Sequence, residues 1–201
     1  MKVTQVFFSF CLSLTACNMH YYLSIGTNIS PEYNAAQIIK LLATAFGEIH
    51  YFPFVYTQPQ GMRTHNTFLN SVAVVKSELD STEFKQQLNT IETTLGRDRT
   101  DPLRSKKDRT ADIDILGSSE QWDSQFFHQF NESYIRGVVR PGTSARFANL
   151  TAFGLPPNDL HAQTGLATVE SENFSNPTIP PAAVHQAPAP IYFSLAQINK
   201  P

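Results

Sequence analysis

Six of the fifteen lysine and arginine residues of this chain fall within the thirteen positions from Arg97 to Arg109, in the stretch RDRTDPLRSKKDRTADID. Two aspartates, Asp112 and Asp114, close that stretch one residue apart, inside an apolar run. Dense cations followed by an Asp-x-Asp pair suit a polyphosphate: guanidinium and ammonium groups neutralise phosphate oxygens, and the carboxylates hold the magnesium that accompanies them. Arginine is the apt residue here, because it keeps its charge and offers a planar fork to phosphate oxygens.

The spacing demands a particular element. Asp112-Ile113-Asp114-Ile115-Leu116 reads as a short strand, so both carboxylates point to one face while Ile113 and Ile115 point into a core. Two like charges on one face repel each other, and a divalent cation between them removes that penalty. Taken alone, an Asp-x-Asp pair reads more readily as two solvated acids on an exposed strand; the neighbouring arginines shift the reading toward the metal.

The elements that must position these residues are legible upstream. Tyr21 to Ile25 reads as a first strand, and Gly26-Thr27-Asn28 as a turn. Ser30-Pro31-Glu32 predicts a helix start with Ser30 as N-cap, and Gly47 closes that helix. His50 to Tyr56 is a second strand interrupted at Pro53, Thr57 to Thr67 a polar loop, and Phe68 to Lys76 a third strand. Asp80 to Leu95 is a second helix, with a capping-box pattern from Asp80 and Glu83 and an apolar stripe of Phe84, Leu88, Ile91 and Leu95. The order strand, helix, strand, strand, helix, strand predicts an α+β fold: a ferredoxin-like antiparallel sheet with helices on one face, plus a C-terminal extension. Trp122 to Phe130 reads as a helix or an aromatic cluster on the sheet, Ser133 to Val139 as another strand, and Ile191 to Leu195 as an isolated strand. Eight of the thirteen prolines and only four charged residues lie between Ala152 and Pro201, which predicts a poorly structured tail over 152–201 after a domain over 19–151.

Composition narrows the function. The net charge of −2 carries no nucleic-acid signature, and the aromatic strand motif of RNA-recognition modules is missing from the third strand. Neither a G-x-x-x-x-G-K-[ST] phosphate loop nor a G-x-S-x-G elbow occurs. The six histidines have no close ligand spacing, and both cysteines, Cys11 and Cys17, precede the first strand.

Five short motifs in order carry a resemblance: YLSIGTN at Tyr22–Asn28, VYTQP at Val55–Pro59, FLNSV at Phe68–Val72, IETTLGRDR at Ile91–Arg99 and DRTADIDIL at Asp108–Leu116. Together they resemble the 6-hydroxymethyl-7,8-dihydropterin pyrophosphokinase family of folate biosynthesis over about half the chain. The resemblance implies ATP-dependent diphosphoryl transfer to the hydroxymethyl group of the pterin, with release of AMP. It implies that Asp112 and Asp114 bind two magnesium ions, and that Arg97 and Arg109 grip the transferred group. Arg99, Lys106 and Lys107 would bind ATP together with Arg109. Gln58, Pro59, Phe68 and Asn70 would bind the pterin, and Glu92 would orient the site. Asn70 taken alone also reads as a strand-end amide. The implied partner is a small-molecule pterin, with no nucleic acid, and the enzyme would act as a monomer in the cytoplasm.

The chain also departs from the family. Lys106-Lys107-Asp108 stands where members usually carry Trp-Gly-Pro or similar, and the loop from Arg99 to Arg109 is longer than usual. A Val-Pro-His-Pro segment after the metal strand is not evident, and Tyr134 and Arg136 are the nearest substitutes. These departures leave open a paralogue acting on a related reduced pterin, or a binding module that has lost catalysis. Residues 1–18 resemble a secretory leader ending in a lipoprotein-like box, Leu14 to Cys17, which would make the protein a membrane-anchored lipoprotein. The expectation preferred here is a start at Met19, directly before the first strand, because an ATP user has little use for a compartment without ATP.

Overall fold

In a computed structural model the described residues are 18–61, 64–157 and 167–170. The leader-like stretch up to Cys17 and the expected strand at Ile191–Leu195 lie outside them. Strand β1 (Met19–Thr27) is followed by helix α1 (Pro31–Phe46), β2 (Glu48–Tyr51), β3 (Val55–Thr57) and β4 (Phe68–Ser77). Helix α2 (Ser81–Thr94), β5 (Asp112–Ser119), helix α3 (Ser133–Val139) and β6 (Ala167–Glu170) complete the described order. The strands form one six-stranded antiparallel sheet in the order β5-β1-β4-β2-β6, with β3 beside β4. The first four places are the ferredoxin-like arrangement: β1 and β4 lie in the middle and β5 and β2 flank them. The fold is α+β, as the order of periodic segments predicts.

Alternation along β1 explains the two layers. Tyr21, Leu23 and Ile25 face α1 and α2 and share a core with Ile38, Leu42, Phe84 and Leu88. Tyr22 points the other way, into a second core with Val72, Val74, Phe127, Ile135 and Val138. The aromatic segment after β5 is a cluster on the sheet: Phe126 stacks on Tyr22 with ring centroids 3.9 Å apart, over a 3-10 turn at Phe126–Gln129. A Cβ on Gly117 would lie 2.6 Å from Phe126, so only glycine lets this ring seat against β5. The register between β1 and β5 shifts at Tyr22 and Leu23, beside Gly117.

Three local expectations change. Ser133–Val139 is a helix rather than a strand, because Ile135 and Val138 sit three apart and both are buried against the sheet. Its β-favouring residues yield to that packing. Ser30 occupies the N-cap of α1 but makes no side-chain cap; it adopts a left-handed φ of 40°, and Asn34 donates instead to the Ile29 carbonyl at 2.6 Å. The second strand divides into β2 and β3 around Pro53, which cannot donate to a ladder. By contrast, Asp80 caps α2 as its pattern predicts, accepting from the backbone N–H of Thr82 at 2.8 Å and Glu83 at 2.9 Å. Within 152–201, Leu155 is buried in the first core and β6 pairs with the edge of β2.

Candidate active site

Sheet register builds the site before any side chain is considered. Gly26 of β1 lies between Asn70 of β4 and Asp112 of β5, and Ser24 pairs with Asp114. These residues share the face of the sheet that carries α3, opposite α1 and α2. A cleft of about 290 Å³ opens over them. Besides these β1 residues its lining includes Thr57, Phe68 and Asn70, the loop residues Gln58, Gln60 and Gly61, and Arg109, Asp112, Asp114 and Tyr134.

Gly26 is required by close approach. A Cβ there would lie 2.8 Å from Asn70 Oδ1. The Asn70 amide, buried within the sheet, donates to Thr57 Oγ1 at 2.6 Å, which fixes its orientation. Phe68 is the next inward residue on the same face, and the Arg109 guanidinium sits 5.7 Å from its ring centre, within cation–π range.

The acidic side of the cleft is held from below by Glu92, a fully buried carboxylate on α2. A buried charge is stable only when paired and hydrogen-bonded. Glu92 accepts the backbone N–H of Ile113 at 2.6 Å, is 3.4 Å from Arg97 Nη1, and is paired with Arg99. It therefore locks β5 between the two aspartates and gathers two arginines at the helix end. Arg97 also donates to the Ala111 carbonyl at 2.6 Å and pairs with Asp112, which Arg109 grips through its other oxygen. Asp112 is thus bracketed by two guanidinium groups with its side chain 24% exposed. Asp114 is far more open at 62% and meets Lys85, whose ammonium lies 3.1 Å from Oδ1 and 2.8 Å from the Ile113 carbonyl. Burial, then the carboxylates of Glu132 and Asp114, push the Tyr134 phenol above its ordinary range, while a hydrogen bond with Ser24 opposes them.

Of the residues singled out in the sequence, the cleft gathers Gln58, Phe68, Asn70, Arg109, Asp112 and Asp114. Arg97 reaches it through Asp112, and Pro59 follows Gln58 on the same loop. Arg99 is turned to Glu92 instead. Lys106 is exposed in a 3-10 turn at Arg104–Lys106, and Lys107 is paired with Asp101 away from the cleft lining. Ser24, Gly26 and Thr57 escaped sequence reasoning as site residues. Ser24 and Gly26 stand within YLSIGTN and Thr57 within VYTQP, and strand alternation places Ser24 and Gly26 on the face opposite Leu23 and Ile25. Lys85 carried no signal at all, since it reaches Asp114 around the edge strand from the other layer.

Two oxygen-donor carboxylates on one strand face, opening to a cleft beside guanidinium groups, fit magnesium, which takes few protein ligands and completes its shell with water and phosphate. Among the described residues there is no group of three or more His, Cys, Asp or Glu side chains placed to hold a metal without such help. Nor is any helix of the described residues long and apolar enough to cross a membrane.

Similarity to known proteins agrees with this geometry. The chain is 32% identical over 97 residues to the 2-amino-4-hydroxy-6-hydroxymethyldihydropteridine pyrophosphokinases of two strains of Porphyromonas gingivalis. The match covers 47% of this chain and 66% of each relative, just under two thirds of their length. The sequence model of 7,8-dihydro-6-hydroxymethylpterin-pyrophosphokinase (HPPK) matches residues 22–160, which hold β1 from Tyr22 onward, α1 to α3 and every residue of the cleft, and the chain belongs to that family.

Proposed function

We propose that the protein transfers the diphosphoryl group of ATP to the hydroxymethyl oxygen of 6-hydroxymethyl-7,8-dihydropterin, releasing AMP, as a step of folate biosynthesis. The observation that carries this reading is that one cleft presents both halves of the chemistry. Asn70 and Phe68 offer an amide and a ring to a flat heterocycle, and Arg109, Asp112 and Asp114 offer charge to a magnesium polyphosphate.

In this reading the pterin hydroxyl oxygen bonds to the β-phosphorus of ATP. The bond from that phosphorus to the oxygen bridging to the α-phosphorus breaks, AMP leaves, and the hydroxyl proton passes to solvent. Such a transfer needs alignment and charge neutralisation more than covalent help. Asp112 and Asp114 would hold two magnesium ions. Magnesium, when bound, neutralises phosphate oxygens and holds them in line. Arg97 and Arg109 pair with Asp112, and in this reading the charge that balances this carboxylate also grips the transferred diphosphoryl group. Arg99 supports them through Glu92, and Lys106 and Lys107 lie on the basic loop within reach of the nucleotide only if that loop folds inward. Gln58 and Pro59 border the pterin slot. The protein would act as a monomer.

The test is AMP release from ATP with the hydroxymethyl pterin and magnesium. Release that requires both the pterin and the metal is expected. ATP left intact at saturating pterin and magnesium overturns the assignment, and turnover of a different reduced pterin reassigns the substrate.

A further inference from the structure

Asp108 is not among the residues that line the cleft, yet its carboxylate joins three separate segments. Oδ1 accepts the Asn28 Nδ2–H at 2.6 Å and Oδ2 accepts the Asn66 Nδ2–H at 2.6 Å. Asn28 belongs to the turn between β1 and α1, where it is buried, and Asn66 to the loop between β3 and β4. Both contacts are short; the Asn28 arm is part-buried and the Asn66 arm lies at the surface.

Asn28 then holds the next residue. Its Oδ1 accepts the Arg109 backbone N–H at 2.7 Å, and its own N–H donates to the Arg109 carbonyl at 3.1 Å. The Ile29 N–H at 3.3 Å and the Thr27 hydroxyl at 3.4 Å reach the same carbonyl. Both backbone groups of Arg109 are therefore fixed to the first turn. Arg109 follows a long basic loop, so without these bonds its guanidinium would inherit the freedom of that loop. The second arm of Asp108 reaches Asn66, two residues before Phe68, which lines the cleft with Asn70.

We infer that Asp108, with Asn28 and Asn66, is a positioning latch that ties the segment leading into Phe68 and Asn70 to Arg109, which lines the same cleft. This rests on the functional reading above for what the cleft binds, but the latch itself is a structural claim.

A charge swap tests it. Asn66→Asp sets carboxylate against carboxylate and should raise the pterin KM about tenfold, roughly the loss of one charge-assisted hydrogen bond, with a smaller change in kcat. Adding Asp108→Asn to that variant restores one donor facing one acceptor and should return KM to within about threefold of the parent. A pterin KM unmoved by Asn66→Asp, or a double variant no better than the single one, overturns the latch. Hydrogen exchange gives a readout free of catalysis: Asp108→Ala should speed exchange at the Arg109 amide and in Thr64–Thr67 together, while β1 and β4 stay protected. Unchanged exchange at both places also overturns it. Failure of the parent protein to release AMP would sink the functional reading and leave the exchange result standing.

Discussion

Asp112 and Asp114 sit two residues apart on one strand, yet their surroundings differ sharply. Asp112 is balanced by Arg97 and Arg109, whereas Asp114 is open to the cleft with Lys85 at its outer oxygen. Asp114→Ala should therefore leave the fold intact and cut kcat/KM by at least about a hundredfold, because a metal anchor worth several kcal/mol of transition-state charge is lost. Raising magnesium should recover part of that loss, and a rate near the parent's at ordinary magnesium would contradict the metal role. Arg109 makes a different prediction. Arg109→Ala should lower kcat by about a hundredfold while ATP KM changes little, as expected for a donor acting on developing charge. Arg109→Lys should recover little of this, since an ammonium cannot bridge Asp112 and a phosphate as a planar fork does. An effect confined to KM would make Arg109 a plain binding residue.

At the scale of elements, the cleft depends on one narrow strand crossing. Gly26 lies between Asn70 and Asp112, and nothing larger fits without moving the Asn70 amide. Gly26→Ala should keep the sheet, because Asn70 is the flexible end that gives way. It should break the Asn70–Thr57 hydrogen bond and raise the pterin KM about tenfold with ATP KM unaltered. Steady-state kinetics in both substrates, with far-ultraviolet circular dichroism as the fold control, check this; equal losses for both substrates would mean that β1 itself has shifted. The strand alternation that predicts Asp112 and Asp114 on one face was legible from Ile113 and Ile115 alone. The helical state of Ser133–Val139 was not, because a seven-residue segment of β-favouring residues takes its form from the surface it packs on.

At the scale of the whole molecule, the buried phenol of Tyr51 and the half-buried phenol of Tyr56 couple stability to alkaline pH. Burial pushes Tyr51 from 10.0 up to about 12. Burial, with the hydrogen bond to Glu32, does the same for Tyr56. Both folded values exceed the unfolded one, so the unfolded chain loses these protons first. The stability they contribute is complete below pH 10.0 and is lost as pH rises toward about 12. Denaturant midpoints measured across that window should fall, and Tyr51→Phe should flatten the fall by removing one of the contributing ionisations. A midpoint as pH-dependent in Tyr51→Phe as in the parent would show that Tyr51 does not govern it.

The chain announces its chemistry through local pattern. Cations crowded before an Asp-x-Asp strand, glycines at the ends of both long helices and five motifs in order are properties of neighbours along the chain, and neighbours are what periodicity and capping report. Assembly in three dimensions settled the rest. The buried Glu92 binding two arginines, Lys85 reaching around β5, and Asp108 tying Asn28 to Asn66 all join residues between 5 and 80 positions apart. No local signal marks such pairs, because a lone carboxylate or amide reads as solvated until a fold removes the water and supplies its partner.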